Sequence, residues 1–300
     1  MAHHHHHGHE QDHQGKNIAI AILLNLGFAV VEFVGGLWTG SLAIIADSLH
    51  DLGDALALGL SYILERKSAQ SSDKYYSYGY RRFSLLGALI NGLILLGGSV
   101  WVIQAAIVRL QEPSSPYAPG MLGLAVLGVL VNGAGFLKLN NTDSLNQRMV
   151  ALHLLEDVFG WVVILLASGA MWMWGLPFLD PLCSILFSLM VAFQVFKALR
   201  KTLKILLMST PADVDGAALQ IEICKLPEIE GIHDFHLWTL DGNYHVLTCH
   251  VVTKTEMTGE RSEALKKQVK RAATELGVNH VTLELERPGE ECNQVDCTKR

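Results

Sequence analysis

Charge is scarce in this chain. Asp, Glu, Lys and Arg make up 17% of 300 residues, while 50% are hydrophobic. A mean hydropathy of +0.29 is too apolar for an ordinary soluble domain of this length. The scarcity is uneven. Long apolar runs fill the chain to about Leu207, whereas the rest is mixed and charged, which predicts a membrane domain followed by a soluble one. There is no basic excess: a net charge of -6 argues against a nucleic-acid-binding face. Cysteines are few and dispersed (Cys183, Cys224, Cys249, Cys292, Cys297). An odd, scattered set of five is no disulfide framework and fits a reduced cytosolic face. No H-E-x-x-H segment is present. The N-terminus lacks the charged region and cleavage site of a signal peptide.

What is abundant is histidine at one end. Residues 1–16, MAHHHHHGHEQDHQGK, hold seven of the fourteen histidines. They read either as a purification tag or as a native metal-gathering tail, disordered in both cases.

A membrane-spanning helix needs roughly 20 apolar residues. Six segments qualify within residues 17–207: about Asn17–Trp38, Ser41–Leu64, Phe83–Val108, Gly120–Leu139, Leu145–Trp174 and Leu179–Leu207. Basic residues crowd alternate connections. Arg66, Lys67, Lys74, Arg81 and Arg82 follow the second segment, Lys138 and Arg148 flank the fourth-to-fifth loop, and Lys197, Arg200, Lys201 and Lys204 end the sixth. The opposite connections, TGS, QEPSSPYAPG and GLPFLD, contain none. The asymmetry predicts that both termini are cytosolic. Residues 208–287 change texture. A helical stretch opened by Pro211 and an acidic first turn leads to two alternating strands joined at Asp241-Gly242. An amphipathic helix ended by Gly277 and a third strand follow, so the order αββαβ predicts a small α+β domain. Residues 288–300 form a Cys-containing tail.

The chemistry lies in the few charges that do occur inside the apolar runs. His50 and Asp54 share the second segment, His153 and Asp157 the fifth. A spacing of four places each pair on one helix face. At 1.5 Å per residue both aspartates fall roughly 18–20 Å into their helices, near the bilayer centre, approached from opposite sides. Ionisable groups at such depth read as functional. Two imidazoles and two carboxylates form a tetrahedral set suited to Zn²⁺, and also acceptable to Cd²⁺ or Co²⁺. A structural hydrogen-bond role explains one such pair better than two at matched depth. On a helical wheel Asp47 joins the His50–Asp54 side, whereas Asp51 and Glu156 are expected to turn aside as cavity or interhelical partners. Asn25, Glu32, Asn91 and Asn132 read first as interhelical hydrogen-bonding groups. Because zinc needs neutral imidazole and ionised carboxylate, protons compete for the site, which predicts metal–proton exchange.

In the soluble part, His233, His236, His245 and His250 occupy two paired strands, with His280 and Glu286 on a third. Alternation is expected to separate His233 from His236, and a lone strand histidine such as His245 reads as a surface residue. Cys292 and Cys297, spaced C-x₄-C, have the softness zinc accepts but not the common C-x₂-C spacing. Two rivals to transport are weaker. A membrane-embedded zinc hydrolase is disfavoured because protein groups fill all four ligand positions. A metal sensor merely anchored by its helices leaves the matched ligands in the membrane unexplained.

The stretches GSLAIIADSLHDLGDALAL, YSYGYRR, ALHLLEDVFGW and GIHDFHLWTL resemble the cation diffusion facilitator family, over nearly the whole chain after the tail. Bacterial zinc, cadmium and cobalt exporters and animal zinc transporters belong to that family. The resemblance implies a homodimer in a bilayer, six helices per subunit and a metallochaperone-like cytosolic domain. It also implies Zn²⁺ export from the cytosol against protons by alternating access, with no enzymatic activity and no resident cofactor. By the same resemblance His50, Asp54, His153 and Asp157 form the transport site, and His233, His250 and Glu286 are zinc ligands of the cytosolic domain; His280, on the same strand as Glu286, is a further candidate ligand for a regulatory zinc there. Likeness to bacterial members implies an inner (plasma) membrane location. The tyrosines of DKYYSYGYRR stand where some members carry histidines, so a second loop metal site is not expected.

Overall fold

The computed structural model describes residues 26–112, 114–140, 145–290 and 292. The chain divides into two compact units. The first comprises residues up to Tyr62 together with Gly87–Ala198, and the second Ile63–Leu86 together with Leu199 onward.

The helices are α1 (Leu26–Thr39), α2 (Leu42–Ser68), α3 (Phe83–Gln111), α4 (Ala118–Leu139), α5 (Leu145–Trp174) and α6 (Leu179–Leu206). Four of them, α3 to α6, are long and apolar enough to cross a membrane. The remaining two expected spans differ for identifiable reasons. The α1 helix is described only from Leu26. The α2 helix has the length, 27 residues, but Asp47, Asp51 and Asp54 interrupt its apolar stretch.

Packing in the first unit centres on Trp161, which is fully buried with Phe28, Ile44, Met121 and Ile164. The α4 and α5 helices pack along one another, and Gly128 lets the indole of Trp161 lie against the α4 backbone. A Cβ at 128 would sit 2.2 Å from that ring. The α5 helix, which carries His153 and Asp157, is thereby fixed against α4.

The start of α2 is fixed differently. Helix N-termini leave backbone N–H groups without partners. Ser41 Oγ accepts from Ile44 N (3.2 Å), and the α6 residue Asp180 accepts from Leu42 N (2.9 Å) and Ala43 N (3.2 Å). Ser41 also donates to Asp180 at 2.5 Å. Arg109 of α3 pairs with the same carboxylate at 3.3 Å. Asp180 is completely buried, so one carboxylate caps α2 and neutralises Arg109, holding three helices in register.

The second unit contains α7 (Gly216–Cys224), β1 (Ile229–Thr239), β2 (His245–Thr253), α8 (Glu260–Glu275) and β3 (His280–Glu286), in the order αββαβ. The α7 helix begins later than Pro211 suggests. Asp215 is its N-cap, accepting from Ala217 N and Ala218 N, so Asp213 precedes the helix. Asp241 and Gly242 turn the chain between β1 and β2: the Asp241 carboxylate accepts from Asn243 N and Tyr244 N, and Gly242 takes φ +98°, a conformation that favours glycine. The sheet order is β1-β2-β3, with β1/β2 antiparallel and β2/β3 parallel. Leu237, Leu247, Cys249 and Val251 pack with Leu219, Ile223, Leu265 and Val269 of α7 and α8 on one sheet face. Burial pushes the Cys249 thiol up to about 12, which keeps it an inert core group.

Replacing Asp180 by Ala leaves two backbone N–H groups and Arg109 without their common acceptor. A loss of roughly 3 kcal/mol is expected, read as a lower thermal unfolding midpoint in detergent. Asp180→Asn, which keeps an acceptor oxygen, should fall between. An unchanged midpoint for Asp180→Ala contradicts the capping role.

Candidate metal centres

The α2 and α5 helices bring the four expected membrane residues together. His153 Nε2 lies 3.7 Å from Asp54 Oδ2 and 4.0 Å from Asp157 Oδ2, and His50 Nε2 lies 3.9 Å from Asp54 Oδ2. The two imidazole centroids are 6.2 Å apart. Donors at 2.0–2.2 Å from a tetrahedral zinc are roughly 3.3–3.6 Å from each other, so these three contacts are near that spacing, while the two imidazoles must close on one another for all four groups to share an ion. His50 Nδ1 and Asp157 Oδ2 are buried and have no hydrogen-bond partner among the described residues. Buried polar atoms are rarely left in that state without a ligand to meet.

Asp51 has the interhelical partner expected of it, Glu32 of α1, but it also faces the site. It is 2% exposed, and one of its oxygens groups with donors of His153 and Asp157, all within 4.8 Å of one another. Residues 47, 50, 51 and 54 follow the i, i+3, i+4, i+7 stripe of a single helix face, a signal that the H-x-x-x-D reading passed over. Asp47 lines a cavity of about 480 Å³ together with His50, Glu156 and Asp157. Glu156 accepts from Gln194 of α6 at 3.3 Å, the interhelical role expected of it. Glu32 is completely buried, and its carboxyl meets that of Asp51 on the neighbouring helix. Asn132 bonds back to Gly128 O in its own helix, and Asn91 Oδ1 is buried without a hydrogen-bond partner among the described residues. Asn25 lies outside the described residues.

A second cluster forms on the sheet face away from α7 and α8. His233 is paired with His250 across β1 and β2. His233 Nε2 is 3.1 Å and His250 Nδ1 2.7 Å from Glu286 Oε1, and Cys292 Sγ is 3.5 Å from His250 Nδ1. One donor atom from each of these four residues falls within a 4.8 Å group. Burial tends to raise the Glu286 carboxyl. Hydrogen bonds from Cys292 and His250, with the charges of His233 and His250, outweigh it and hold the group below the usual glutamate value. Two imidazoles, a carboxylate and a thiol make a donor set that suits zinc.

Three expectations for this domain need correction. His280 is not part of the cluster. It pairs with Val246, while Glu286 pairs with Val252, so six residues of strand, roughly 20 Å, separate them. Its ring lies against Tyr78 instead. Alternation also fails to separate His233 from His236, because β1 bulges between them: His233 opposes His250 and His236 opposes Thr248, which returns both to one face. At the bulge Asp234 takes φ +46°, uncommon for a residue other than glycine. Its carboxylate lies 2.9 Å from His236 Nε2 and 3.7 Å from His250 Nε2, on the side of the His250 ring opposite Glu286. Finally, His245 is buried rather than at the surface and meets Asp213 at 3.2 Å. That hydrogen bond holds the Asp213 carboxyl below its usual value. Cys297 and residues 1–16 lie outside the described residues.

The chain is similar to known proteins over most of its length. The cation efflux transmembrane domain matches residues 18–207, and the cation efflux protein cytoplasmic domain matches residues 211–288. The metal cation efflux system protein CzcD of Cupriavidus metallidurans is 32% identical over 293 residues, covering 96% of this chain and 92% of that protein. The zinc transporter ZitB of Escherichia coli is 30% identical over 305 residues, covering 99% and 96%. The cadmium, cobalt and zinc/H(+)-K(+) antiporter of Bacillus subtilis is 29% identical over 275 residues, covering 90% and 88%. With both domains matched in order, the chain belongs to the cation diffusion facilitator family, whose members are metal cation transporters and not enzymes.

Proposed function

We propose that this protein exports Zn²⁺ from the cytosol in exchange for protons, using His50, Asp54, His153 and Asp157 as the transport site. The observation that carries the reading is the convergence of these groups from α2 and α5, with His50 Nδ1 and Asp157 Oδ2 lacking hydrogen-bond partners among the described residues. Cd²⁺ and Co²⁺ accept the same donors, and the Bacillus subtilis relative is named for both of them beside zinc. Zinc is favoured because two imidazoles and two carboxylates complete a tetrahedron. Such a site binds metal only when its imidazoles are neutral and its carboxylates ionised. Entry of Zn²⁺ from the cytosolic side displaces protons, and protons arriving from the other side evict the metal once helix rocking opens the site there. An imposed proton gradient sets the direction of net transport.

In this reading all six helices α1–α6 cross a bacterial inner membrane, and both termini are cytosolic. Support comes from the basic residues in alternate connections. Domain boundaries at residues 17–207 and 208–287 follow, and the protein works as a homodimer. The cytosolic cluster of His233, His250, Glu286 and Cys292 holds a regulatory zinc ion. Two carboxylates face the Nε2 side of the His250 ring, Glu284 at 3.4 Å and Asp234 at 3.7 Å; in this reading Asp234, the less exposed of the two, closes on Nε2 when zinc binds and orients the ring.

In proteoliposomes with an imposed pH gradient, Asp54→Ala and Asp157→Ala should each abolish zinc-driven proton movement. Wild-type rates in either variant reject the transport site. With both substitutions combined to silence that site, zinc titration of the full-length protein should retain one site per chain, and His250→Ala should remove it. Asp234→Gly keeps the left-handed backbone and deletes only the carboxylate. It is expected to weaken this zinc roughly 10–100-fold with little change in unfolding midpoint. Unchanged affinity reduces Asp234 to a backbone role.

A further inference from the structure

The second unit contains a cavity of about 320 Å³ that the transport reading does not use. Its walls include Tyr76, Tyr78, Arg82, Met208, Trp238 and Leu240. Arg82 Nε and Nη2 are buried without a hydrogen-bond partner among the described residues. A guanidinium cannot neutralise itself by losing a proton, so buried N–H groups of this kind are costly unless an acceptor meets them.

The neighbouring charges are occupied. Arg81 lies 3.5 Å from Asp241 and stacks 4.2 Å from the centroid of the Tyr244 ring. Asp73 is engaged as well: it accepts from Tyr75 N, Tyr76 N and Tyr80 Oη. These bonds hold the Asp73 carboxyl below its usual value and shape the tyrosine loop in advance of any ligand. Tyr76, Tyr80 and Phe83 pack ring against ring at 4.5–5.6 Å. No acidic side chain lines the cavity among the described residues. The cavity thus offers unmatched positive charge at one wall and aromatic and apolar surface at the others.

Its place in the chain identifies the ligand. Arg82 immediately precedes α3 and Met208 lies two residues beyond α6, and both helices are long and apolar enough to cross a membrane. The cavity therefore opens where membrane-spanning segments end, on the side carrying Arg66, Lys67, Lys74, Arg200, Lys201 and Lys204. Aromatic rings favour the headgroup level, and juxtamembrane basic residues attract anionic lipid. We propose that this cavity binds an anionic phospholipid, its phosphate accepting the Arg82 Nε–H and Nη2–H hydrogen bonds and its glycerol and upper acyl carbons lying against Trp238, Met208 and Leu240. The guanidinium fork matches two phosphate oxygens. The proposal is independent of which metal the protein carries.

Native mass spectrometry of the full-length protein, released from detergent with added dioleoyl-phosphatidylglycerol, dioleoyl-phosphatidylcholine or inorganic phosphate, tests it. The wild type should retain phosphatidylglycerol in preference to phosphatidylcholine, and Arg82→Gln should lower that retention roughly tenfold or more. Millimolar inorganic phosphate should not displace the lipid. Equal retention by Arg82→Gln, or no preference between the two lipids, overturns the proposal. Displacement by inorganic phosphate overturns it in favour of a soluble-anion site. Should Arg82→Gln not fold, Arg82→Lys carries the same test: it keeps the charge but loses the fork, so retention must still fall, and unchanged retention overturns the assignment.

Discussion

The fold is organised around charges that a bilayer does not tolerate. His50, Asp51, Asp54, His153 and Asp157 sit on α2 and α5 amid largely apolar sequence, where an ionisable side chain is costly. Such groups persist if they pair with one another or meet a cation. Three of their contacts, His50–Asp54, His153–Asp54 and His153–Asp157, measure 3.7–4.0 Å, too long for hydrogen bonds. That single constraint requires two helices to face each other at a fixed depth and rotation. Much of the packing serves it: Gly128 seats Trp161 to fix α5, and Asp180 caps and anchors α2.

The same logic recurs in the second unit with different material. There a three-stranded sheet keeps its apolar residues under α7 and α8, leaving the other face free for His233, His250 and Glu286. The clustered donor atoms come from three strands and from Cys292 beyond them. Their geometry depends on strand register, and a bulge at Asp234 adjusts it locally. The two centres differ in donor chemistry. A thiol joins the cytosolic cluster, whereas the membrane site uses nitrogen and oxygen alone. Thiolate is the softer donor and is among the ligands that select zinc, so the two clusters are chemically distinct.

Much of this was legible in the sequence because helices write their faces at fixed intervals. The H-x-x-x-D pairs name α2 and α5 directly, and apolar length bounds α3 to α6. Features that depend on partners distant in sequence were not legible. Asp180 caps a helix that starts 138 residues earlier, and nothing local to either segment announces it. The Asp234 bulge exists only against β2, so simple alternation misplaced His236. His280 looked equivalent to Glu286 until the parallel register of β3 set them at opposite ends of the strand. Asp51 differs: the stripe 47, 50, 51, 54 on α2 places it beside the site, whereas a spacing of four alone does not include it.

Zinc K-edge X-ray absorption on the full-length protein, with the cytosolic cluster removed by His233→Ala and His250→Ala, tests the central claim most directly. The account predicts four nitrogen and oxygen donors at about 2.0–2.2 Å, with the outer-shell scattering of two imidazoles, lost when His50 and His153 are also replaced. A shell containing sulfur, or zinc bound identically without those two histidines, would contradict it.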